Sequence, residues 1–348
     1  MKNAGWGCEK AAPMRAMVLR KFAPAEAGPL DWTEIDIPRT REDEILVRIR
    51  YCAVCHTDLH TVEGDLPEAR LPVIPGHQVI GEVEAAGAKT YLFKPGDRAG
   101  VAWLNSSCGA CRFCLSGHEN LCEAGRFTGY HVHGGYADYI AVRESFAYRI
   151  PERFPDEEAA PLLCAGIIGY RALRLSGIAP KERLGLFGFG ASAHVAIQVA
   201  RYWGCEVYVF SRSAEHRALA RELGASWTGT AREDPPAKIQ SAVIFAPAGE
   251  LVPAALDALD KGGTVALAGI SMTSIPELEY EKHLYREKIL RSVANATRAD
   301  GTELLRLASE IPIKTKIELF PLREANRALL LLKQGKINGA AVLRISGG

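Results

Sequence analysis

The sequence predicts an α/β protein that contains a doubly wound parallel sheet and a second domain. Residues 184–212 read as a strand, a glycine turn, an amphipathic helix and another strand, a βαβ unit of about thirty residues. Further strand-like runs follow at SAVIFAP, GTVALAGI and KILRSVAN, and the helix-like run LVPAALDALD separates the first two. A chain of 348 residues is long enough for two domains. These observations favour a parallel sheet with helices on both faces.

The glycine turn after the first of these strands has the pattern G-x-G-x-x-A at Gly188, Gly190 and Ala193. The first glycine permits a tight turn, the second lets the backbone approach a pyrophosphate, and the small third residue allows the helix to pack closely on the strand. The helix N-terminus then presents free N–H groups to the phosphates. The pattern alone is weak evidence, but here a strand precedes it and a helix follows. A dinucleotide is therefore the expected ligand of this sheet.

Composition and charge exclude several classes of partner. The 42 basic side chains nearly balance the 41 acidic ones, and no long run of either sign suggests a nucleic acid or an anionic membrane as a partner. No apolar run approaches the length of a membrane span, and Lys2, Glu9 and Lys10 interrupt the N-terminus where a secretory signal needs an apolar core. We therefore expect a cytoplasmic protein with small-molecule partners, in which residues 1–13 form an N-terminal extension.

Four of the nine cysteines fall within CGACRFCLSGHENLC. Their spacing lets the thiolates converge on one ion at about 2.3 Å, and four sulfurs fill a tetrahedral zinc site with no open position. An iron–sulfur cluster is the main alternative, but in bacterial ferredoxins the next cysteine comes three residues on and proline follows it, whereas here seven residues intervene and Glu123 follows. Structural zinc is favoured over a cluster and over free thiols. The four residues are Cys108, Cys111, Cys114 and Cys122.

If that site is closed, the chemistry must lie elsewhere, and three quieter segments could carry it. Cys55 lies in YCAVCHTDLH, where the alternating run EILVRIR ends. His77 follows a Pro-Gly turn in PGHQVIGEV, and Cys164 lies in the apolar segment EEAAPLLCAGIIGYRAL. Taken singly, each has an ordinary structural explanation, because a buried cysteine usually behaves as a small hydrophobe and a histidine after a turn is usually a loop residue.

Taken together, these motifs resemble the zinc-dependent alcohol dehydrogenases of the medium-chain dehydrogenase/reductase superfamily. The likeness runs from about Met14 to the end of the chain, and CxxCHTDLH, PGH, the four-cysteine segment, APLLCAG and GxGxxA occur in that order. The resemblance implies a mostly β GroES-like catalytic domain, residues 1–163 and 298–348. It also implies a Rossmann domain, residues 164–297, and a structural zinc segment within residues 104–125, which we call the cysteine lobe.

The resemblance also implies the roles of individual residues. Cys55, His77 and Cys164 would hold a catalytic zinc, which keeps three protein ligands and one open position. Thr57 and His60 would form a proton relay, as a hydroxyl followed by a group that titrates near neutrality allows. The remaining implied roles are Asp58 as the carboxylate that orients His77, and His56 against the cofactor phosphates. Trp103 matches an aromatic residue that walls the substrate pocket in relatives acting on small primary alcohols, and the equally weighted alternative is a core tryptophan.

The chain departs from the family pattern at two places. Gln78 stands where the family usually has glutamate, and a neutral amide is a poorer ligand for a dication, so we expect Gln78 to stay off the zinc. NAD enzymes usually place an acidic residue about twenty residues after the glycine turn. This chain has Ser211 and Arg212 there, and a hydroxyl with a cation suits a 2'-phosphate. NADP is therefore favoured over NAD.

The function expected from the resemblance is reversible hydride transfer between a nicotinamide cofactor and an alcohol or aldehyde, with a primary alcohol favoured. The family also implies a homo-oligomer, either a dimer or a tetramer. Two alternatives from other classes are an iron–sulfur redox protein and a non-catalytic NAD(P)-binding sensor on the same fold. The sensor is disfavoured because it needs neither the Cys55, His77 and Cys164 set nor the relay.

Overall fold

The computed structural model describes residues 13–66 and 69–346. The predicted extension, residues 1–13, lies outside them except for Pro13, which begins the first strand. The described strands, β1 to β17 in chain order, are Pro13–Leu19, Leu30–Asp36, Glu44–Val54, Val79–Ala86, Arg98–Val101, Leu104–Ser106, Arg126–Phe127, Tyr139–Arg143, Ala147–Arg149, Arg183–Phe187, Glu206–Phe210, Trp227–Gly229, Ile239–Ile244, Leu259–Leu267, Ile289–Ser292, Ile317–Pro321 and Ala340–Arg344. The described α-helices, α1 to α10, are His56–Glu63, Arg112–Leu115, Asp156–Ala159, Ala165–Ser176, Ala191–Tyr202, Ala214–Glu222, Leu251–Ala258, Tyr280–His283, Arg298–Glu310 and Ala325–Lys333.

The parallel sheet predicted from the sequence has the strand order β12-β11-β10-β13-β14-β15. The chain begins in the middle of this sheet and reverses direction there, which defines a doubly wound fold with its switch point beside β10. Leu184 and Leu186 of β10 and Val209 of β11 are buried, because helices cover both faces of such a sheet and its strands become apolar runs. The prediction of an α/β fold is confirmed.

One predicted helix is longer in the sequence pattern than in the structure. The run LVPAALDALD suggests a helix to residue 260, but α7 ends at Ala258 and β14 begins at Leu259. Leu259 pairs with Ile239 of β13 and is buried. A short apolar run fits helix and strand equally well, so the boundary is set by this pairing rather than by periodicity.

A second, mixed sheet has the order β16-β17-β3-β4-β5-β9, and β8 also pairs with β3. Its central strand β3 pairs antiparallel with the last strand of the chain, with Cys52 opposite Leu343. Segments on either side of the parallel sheet therefore build one sheet. This agrees with an inserted cofactor domain, while the limits 163/164 and 297/298 stay predictions. None of the helices in residues 13–66 and 69–346 has the length and apolar composition needed to cross a bilayer.

Candidate active site

Cys55 sits at the point where β3 ends and α1 begins. Its Sγ accepts a hydrogen bond from the Thr57 amide at 3.3 Å, and its own amide donates to Asp58 Oδ2 at 3.0 Å. This is a capping box in which a cysteine takes the place usually held by serine or threonine. The sequence CHTD therefore fixes both the start of the helix and the direction of the thiol.

His77 is completely buried, and its ring is held by the same carboxylate. His77 Nδ1 lies 2.9 Å from Asp58 Oδ1, and Nε2 lies 3.3 Å from Cys55 Sγ. Burial alone would lower the pKa of His77, but the negative charges of Asp58 and Cys55 raise it well above its ordinary value. With Asp58 on Nδ1, Nε2 is directed towards Cys55 Sγ, the orientation found in carboxylate–histidine–zinc arrangements.

Cys164, the residue just before α4, is the third member of this cluster. The donor atoms of Cys55, His77 and Cys164 all lie within 4.8 Å of one another. A hydrogen bond from the Cys164 thiol lowers the pKa of Cys55 well below its ordinary value, and the charge of His77 acts in the same direction. Two thiols and one imidazole are ligands that zinc prefers, and three of them leave a fourth position for water or substrate. The residues present therefore fit a catalytic zinc.

The cysteine lobe brings its four cysteines together as a separate group. Sγ of Cys108 and Sγ of Cys114 lie 3.8 Å apart, and Sγ of Cys111 and Sγ of Cys114 lie 3.6 Å apart. A tetrahedron with Zn–S bonds of about 2.3 Å has edges of about 3.8 Å, so these separations fit one ion with four sulfur ligands. Backbone N–H groups lower the pKa of Cys108 to about 6, which favours its thiolate.

The two predicted relay residues lie on helix α1. Thr57 and His60 are three residues apart and so share one face of the helix. His60 Nδ1 lies 2.8 Å from Asp65 Oδ2, which fixes the orientation of the imidazole. Asp65 was not identified from the sequence, although an acidic residue just beyond the helix-ending Gly64 was the available signal. His56 is the first residue of α1 and is exposed.

Trp103 lies beside His77 at the centre of an aromatic cluster. Its ring centroid is 5.0 Å from that of His77, with the rings 73° apart, and 5.0 Å from the nearly parallel ring of Phe127. Its Nε1 donates a hydrogen bond to Asn295 Oδ1 at 3.1 Å. Asn295 was missed in the sequence, where nothing local marks it. Gln78, next to His77, is also buried.

The residues of the glycine turn lie between β10 and α5. Gly188 has φ +87°, and a Cβ added there would come within 2.9 Å of the Ala246 backbone nitrogen, so both conformation and space require glycine. Gly190 is open on the side where a Cβ would stand and is the residue before α5. Ala193 is completely buried, as close packing of helix on strand requires.

Ser211 and Arg212 follow directly after β11, which pairs with β10. Ser211 is buried and Arg212 is exposed. Arg217, a residue missed in the sequence, donates from Nη1 to the carbonyl oxygens of Ser211 and Arg212 at 2.6 and 3.0 Å. The turn at this edge is therefore held by a second arginine, which leaves the Arg212 side chain exposed.

Comparison with known proteins gives a consistent result for this fold and site. Residues 41–152 match the alcohol dehydrogenase GroES-like domain, and residues 193–310 match the zinc-binding dehydrogenase domain. The probable alcohol dehydrogenase AdhA of Mycobacterium tuberculosis is 46% identical over 339 residues, which cover 96% of this chain and 98% of the relative. The chain belongs to the zinc-dependent alcohol dehydrogenases of the medium-chain dehydrogenase/reductase superfamily.

Solved structures agree with this membership. A cobalt- and zinc-bound thermostable alcohol dehydrogenase from Pyrobaculum aerophilum has a TM-score of 0.86 at 26% identity, covering 96% of this chain and 100% of that one. The CAD from Helicobacter pylori complexed with NADP(H) has a TM-score of 0.85 at 25% identity, covering 96% and 98%. The protein is an oxidoreductase that uses zinc and a nicotinamide cofactor on a small-molecule alcohol or carbonyl substrate. The iron–sulfur and sensor alternatives are not favoured.

Proposed function

We propose that this enzyme interconverts primary alcohols and aldehydes with NADP at the site formed by Cys55, His77 and Cys164. The observation that carries the proposal is the group of three donor atoms within 4.8 Å of one another, because three ligands leave the vacancy that a substrate oxygen needs. Zinc bound there would act as a Lewis acid on that oxygen while the nicotinamide accepts or donates hydride. In the cysteine lobe, four sulfurs would hold a second, structural zinc.

The chain's own residues supply the remaining steps. The Thr57 hydroxyl would accept the proton of the substrate hydroxyl while donating its own onward, and His60, at the far end of the relay, would pass a proton to solvent. Asp65 keeps His60 oriented through the 2.8 Å contact with Nδ1. Asp58 holds His77, and the ring of Trp103 forms the wall that favours small primary alcohols. His56, at the start of α1, would lie against the cofactor phosphates.

The NADP preference rests on the edge after β11. Arg212 is exposed there and Ser211 offers a hydroxyl, while Arg217 holds both carbonyls. An arginine can bind a phosphate with two parallel hydrogen bonds, and the similar H. pylori CAD was solved with NADP(H). Gly188, Gly190 and Ala193 would receive the pyrophosphate that NAD and NADP share.

A homo-oligomer is the expected state, and the free edge of the parallel sheet supports it. β15 is the last strand in the sheet order, and Ile289 within it is 50% exposed. Tyr280 and Tyr285, which precede it, are also exposed. An uncovered edge strand with apolar neighbours can pair with a second copy of the chain. Sedimentation equilibrium should give the mass of a dimer or a tetramer, and a monomer at micromolar concentration would contradict the proposal.

A substrate panel tests the function directly. Zinc-loaded enzyme is assayed with primary and secondary alcohols and with aldehydes, each with NADP and NAD and their reduced forms. We expect the highest kcat/KM with a primary alcohol or its aldehyde and with the phosphorylated cofactor. A higher kcat/KM with NADH would overturn the NADP assignment, and a preference for secondary alcohols would overturn the substrate class.

A further inference from the structure

The hydrogen bond between Trp103 and Asn295 joins the two halves of the molecule. Trp103 follows β5 of the mixed sheet, and Asn295 follows β15 of the parallel sheet. Nε1 of an indole can only donate, so the Asn295 side chain must present its oxygen, as the 3.1 Å distance to Oδ1 shows. Asn295, which follows the parallel sheet, thus holds the Trp103 side chain, and the Trp103 ring packs edge-on against His77.

The backbone of Asn295 is itself held in place. Asn295 has φ +53°, in the left-handed region that asparagine tolerates better than most residues. Two residues before it, the Val293 amide donates to the Leu267 carbonyl at 2.8 Å, and the Ala294 carbonyl accepts from Asn120 Nδ2 of the cysteine lobe at 2.7 Å. Two residues after it, Thr297 caps helix α9. The Asn295 side-chain oxygen is therefore carried by a backbone segment that is fixed on both sides.

The ring contacts of Trp103 do not fix the rotation of the indole within its own plane, and the hydrogen bond to Asn295 restricts this rotation. The indole stacks on Phe127 with 12° between the ring planes and leans on Tyr130 at 5.7 Å. Stacked rings attract each other over a range of offsets, so stacking fixes the plane of the indole better than its rotation within that plane. A hydrogen bond to Nε1 has a narrow preferred angle and fixes the rotation.

We propose that Asn295 is a positioning residue for substrate size, which fixes the indole of Trp103 beside His77 and thereby sets the width of the substrate site. The inference rests on the proposed function, in which Trp103 walls the pocket. Without the acceptor, the indole would turn within its stack and admit bulkier alcohols, while small alcohols would lose part of their packing.

The test compares Asn295→Gly with Asn295→Asp. Glycine accepts the left-handed backbone and removes the acceptor, whereas aspartate keeps an oxygen at the same place and also tolerates that backbone. The readout is the ratio of kcat/KM for ethanol to kcat/KM for benzyl alcohol. Losing one hydrogen bond of about 1 kcal/mol corresponds to roughly fivefold, so we expect this ratio to fall about fivefold in Asn295→Gly, mainly through KM, and to stay within twofold in Asn295→Asp.

Lys181→Gly is the matched control, because Lys181 is another non-glycine residue with a positive φ, +69°, and its side chain is exposed. It should leave the ratio unchanged. In a Trp103→Phe background the indole donor is absent, so Asn295→Gly should have no further effect. An equal fall of the ratio with and without the indole N–H would overturn the inference.

A further variant and a direct measurement separate this inference from the proposed function. If Trp103→Ala changes the ratio but Asn295→Gly does not, the proposed role of Trp103 as a pocket wall is supported and the inference about Asn295 is wrong. If Trp103→Ala leaves the ratio unchanged, the wall itself is wrong and the inference falls with it. Independently of folding in any Asn295 variant, the Nε1–H of Trp103 in ¹⁵N-labelled native enzyme should exchange slowly with solvent, and rapid exchange would contradict the bond.

Discussion

At the scale of single residues, Cys55 has two separable roles. It caps helix α1 through Sγ, and it is one of three proposed zinc ligands. Serine is a good N-cap residue but a poor substitute for a thiolate on zinc. We therefore expect Cys55→Ser to keep the fold and lose turnover by at least about a thousandfold. Circular dichroism and a zinc assay check this, with an expected loss of one zinc ion per chain relative to the native enzyme.

The control for this variant is Cys205→Ser. Cys205 is buried and belongs neither to the Cys55, His77 and Cys164 cluster nor to the four cysteines of the cysteine lobe. The Cys205→Ser variant should retain the full zinc content of the native enzyme. If Cys55→Ser retained full zinc and measurable turnover near the native level, the assignment of Cys55 as a ligand would be wrong.

Asp58 is the second residue whose role can be tested alone. Its carboxylate accepts hydrogen bonds from the backbone amides of Cys55 and Gly76 and contacts the ring nitrogen Nδ1 of His77. Replacing a carboxylate that orients a zinc-bound histidine typically lowers metal affinity about 10- to 100-fold. We expect Asp58→Asn to show this loss in a competition titration with a chelator, while Asp65→Asn, a change to the carboxylate on His60, leaves zinc affinity unchanged. Equal affinities in both variants would exclude the positioning role of Asp58.

At the scale of elements, the cysteine lobe contacts the segment that follows the parallel sheet. Asn120 bonds the Ala294 carbonyl, and Glu119 Oε1 accepts from the amide and side chain of Arg298. A lobe that loses its metal loses the constraint that positions these two side chains. These contacts support the proposed structural role of the lobe and place it against the residues next to Asn295.

Removing one cysteine ligand of the lobe should therefore lower the thermal stability of the protein more than its catalytic activity. We expect Cys111→Ser to lower the melting temperature by several degrees and to retain one zinc ion, because a structural site contributes folding free energy. Leu115→Ala, at a residue of the lobe that is 76% exposed, should shift it little. Differential scanning calorimetry measures both, and an unchanged melting temperature with normal assembly in Cys111→Ser would argue against a structural zinc.

The elements were predictable to different degrees, for physical reasons. The β10–α5–β11 unit has strong periodicity and a glycine turn, so its signal is local. Cys55, His77 and Cys164 come from three distant segments without a local signal, and only the family resemblance connected them. Asn295 could not be predicted, because only tertiary packing brings its partner Trp103 near. Asp65 lies five residues after His60, so its signal was local and was overlooked.

At the scale of the whole molecule, a buried ion-pair cluster joins helix α4 to helix α9. Asp300 is completely buried and accepts from Arg171 and Arg174, both at 2.6 Å. Burial alone would raise the pKa of Asp300, but hydrogen bonds from Thr297 and the charge of Arg171 outweigh it and lower the pKa. Removing this carboxylate leaves the buried Arg171 without its counter-charge.

This cluster predicts a pH-dependent contribution to stability. Because the folded-state pKa lies below the unfolded value of about 3.9, the stabilisation is complete well above that pH and is lost as the pH falls towards the folded-state pKa. We expect Asp300→Asn to lose about 3 kcal/mol of unfolding free energy at pH 7. Urea titrations of both proteins should show this difference shrinking below about pH 5; a difference that stays constant down to about pH 3 would contradict the assignment.

The pairing of β17 with β3 has a consequence for how the protein is made. Residues 183–292 carry the whole parallel sheet and can fold while the chain is still being synthesised, since domains generally fold as units from the N-terminal side. β3, which ends next to Cys55, can pair with its neighbour β17, Ala340–Arg344, only after the whole parallel sheet has been synthesised. Zinc insertion should therefore follow the synthesis of β17, and a stop codon placed just before β17 should yield a chain that binds the dinucleotide but not the catalytic metal.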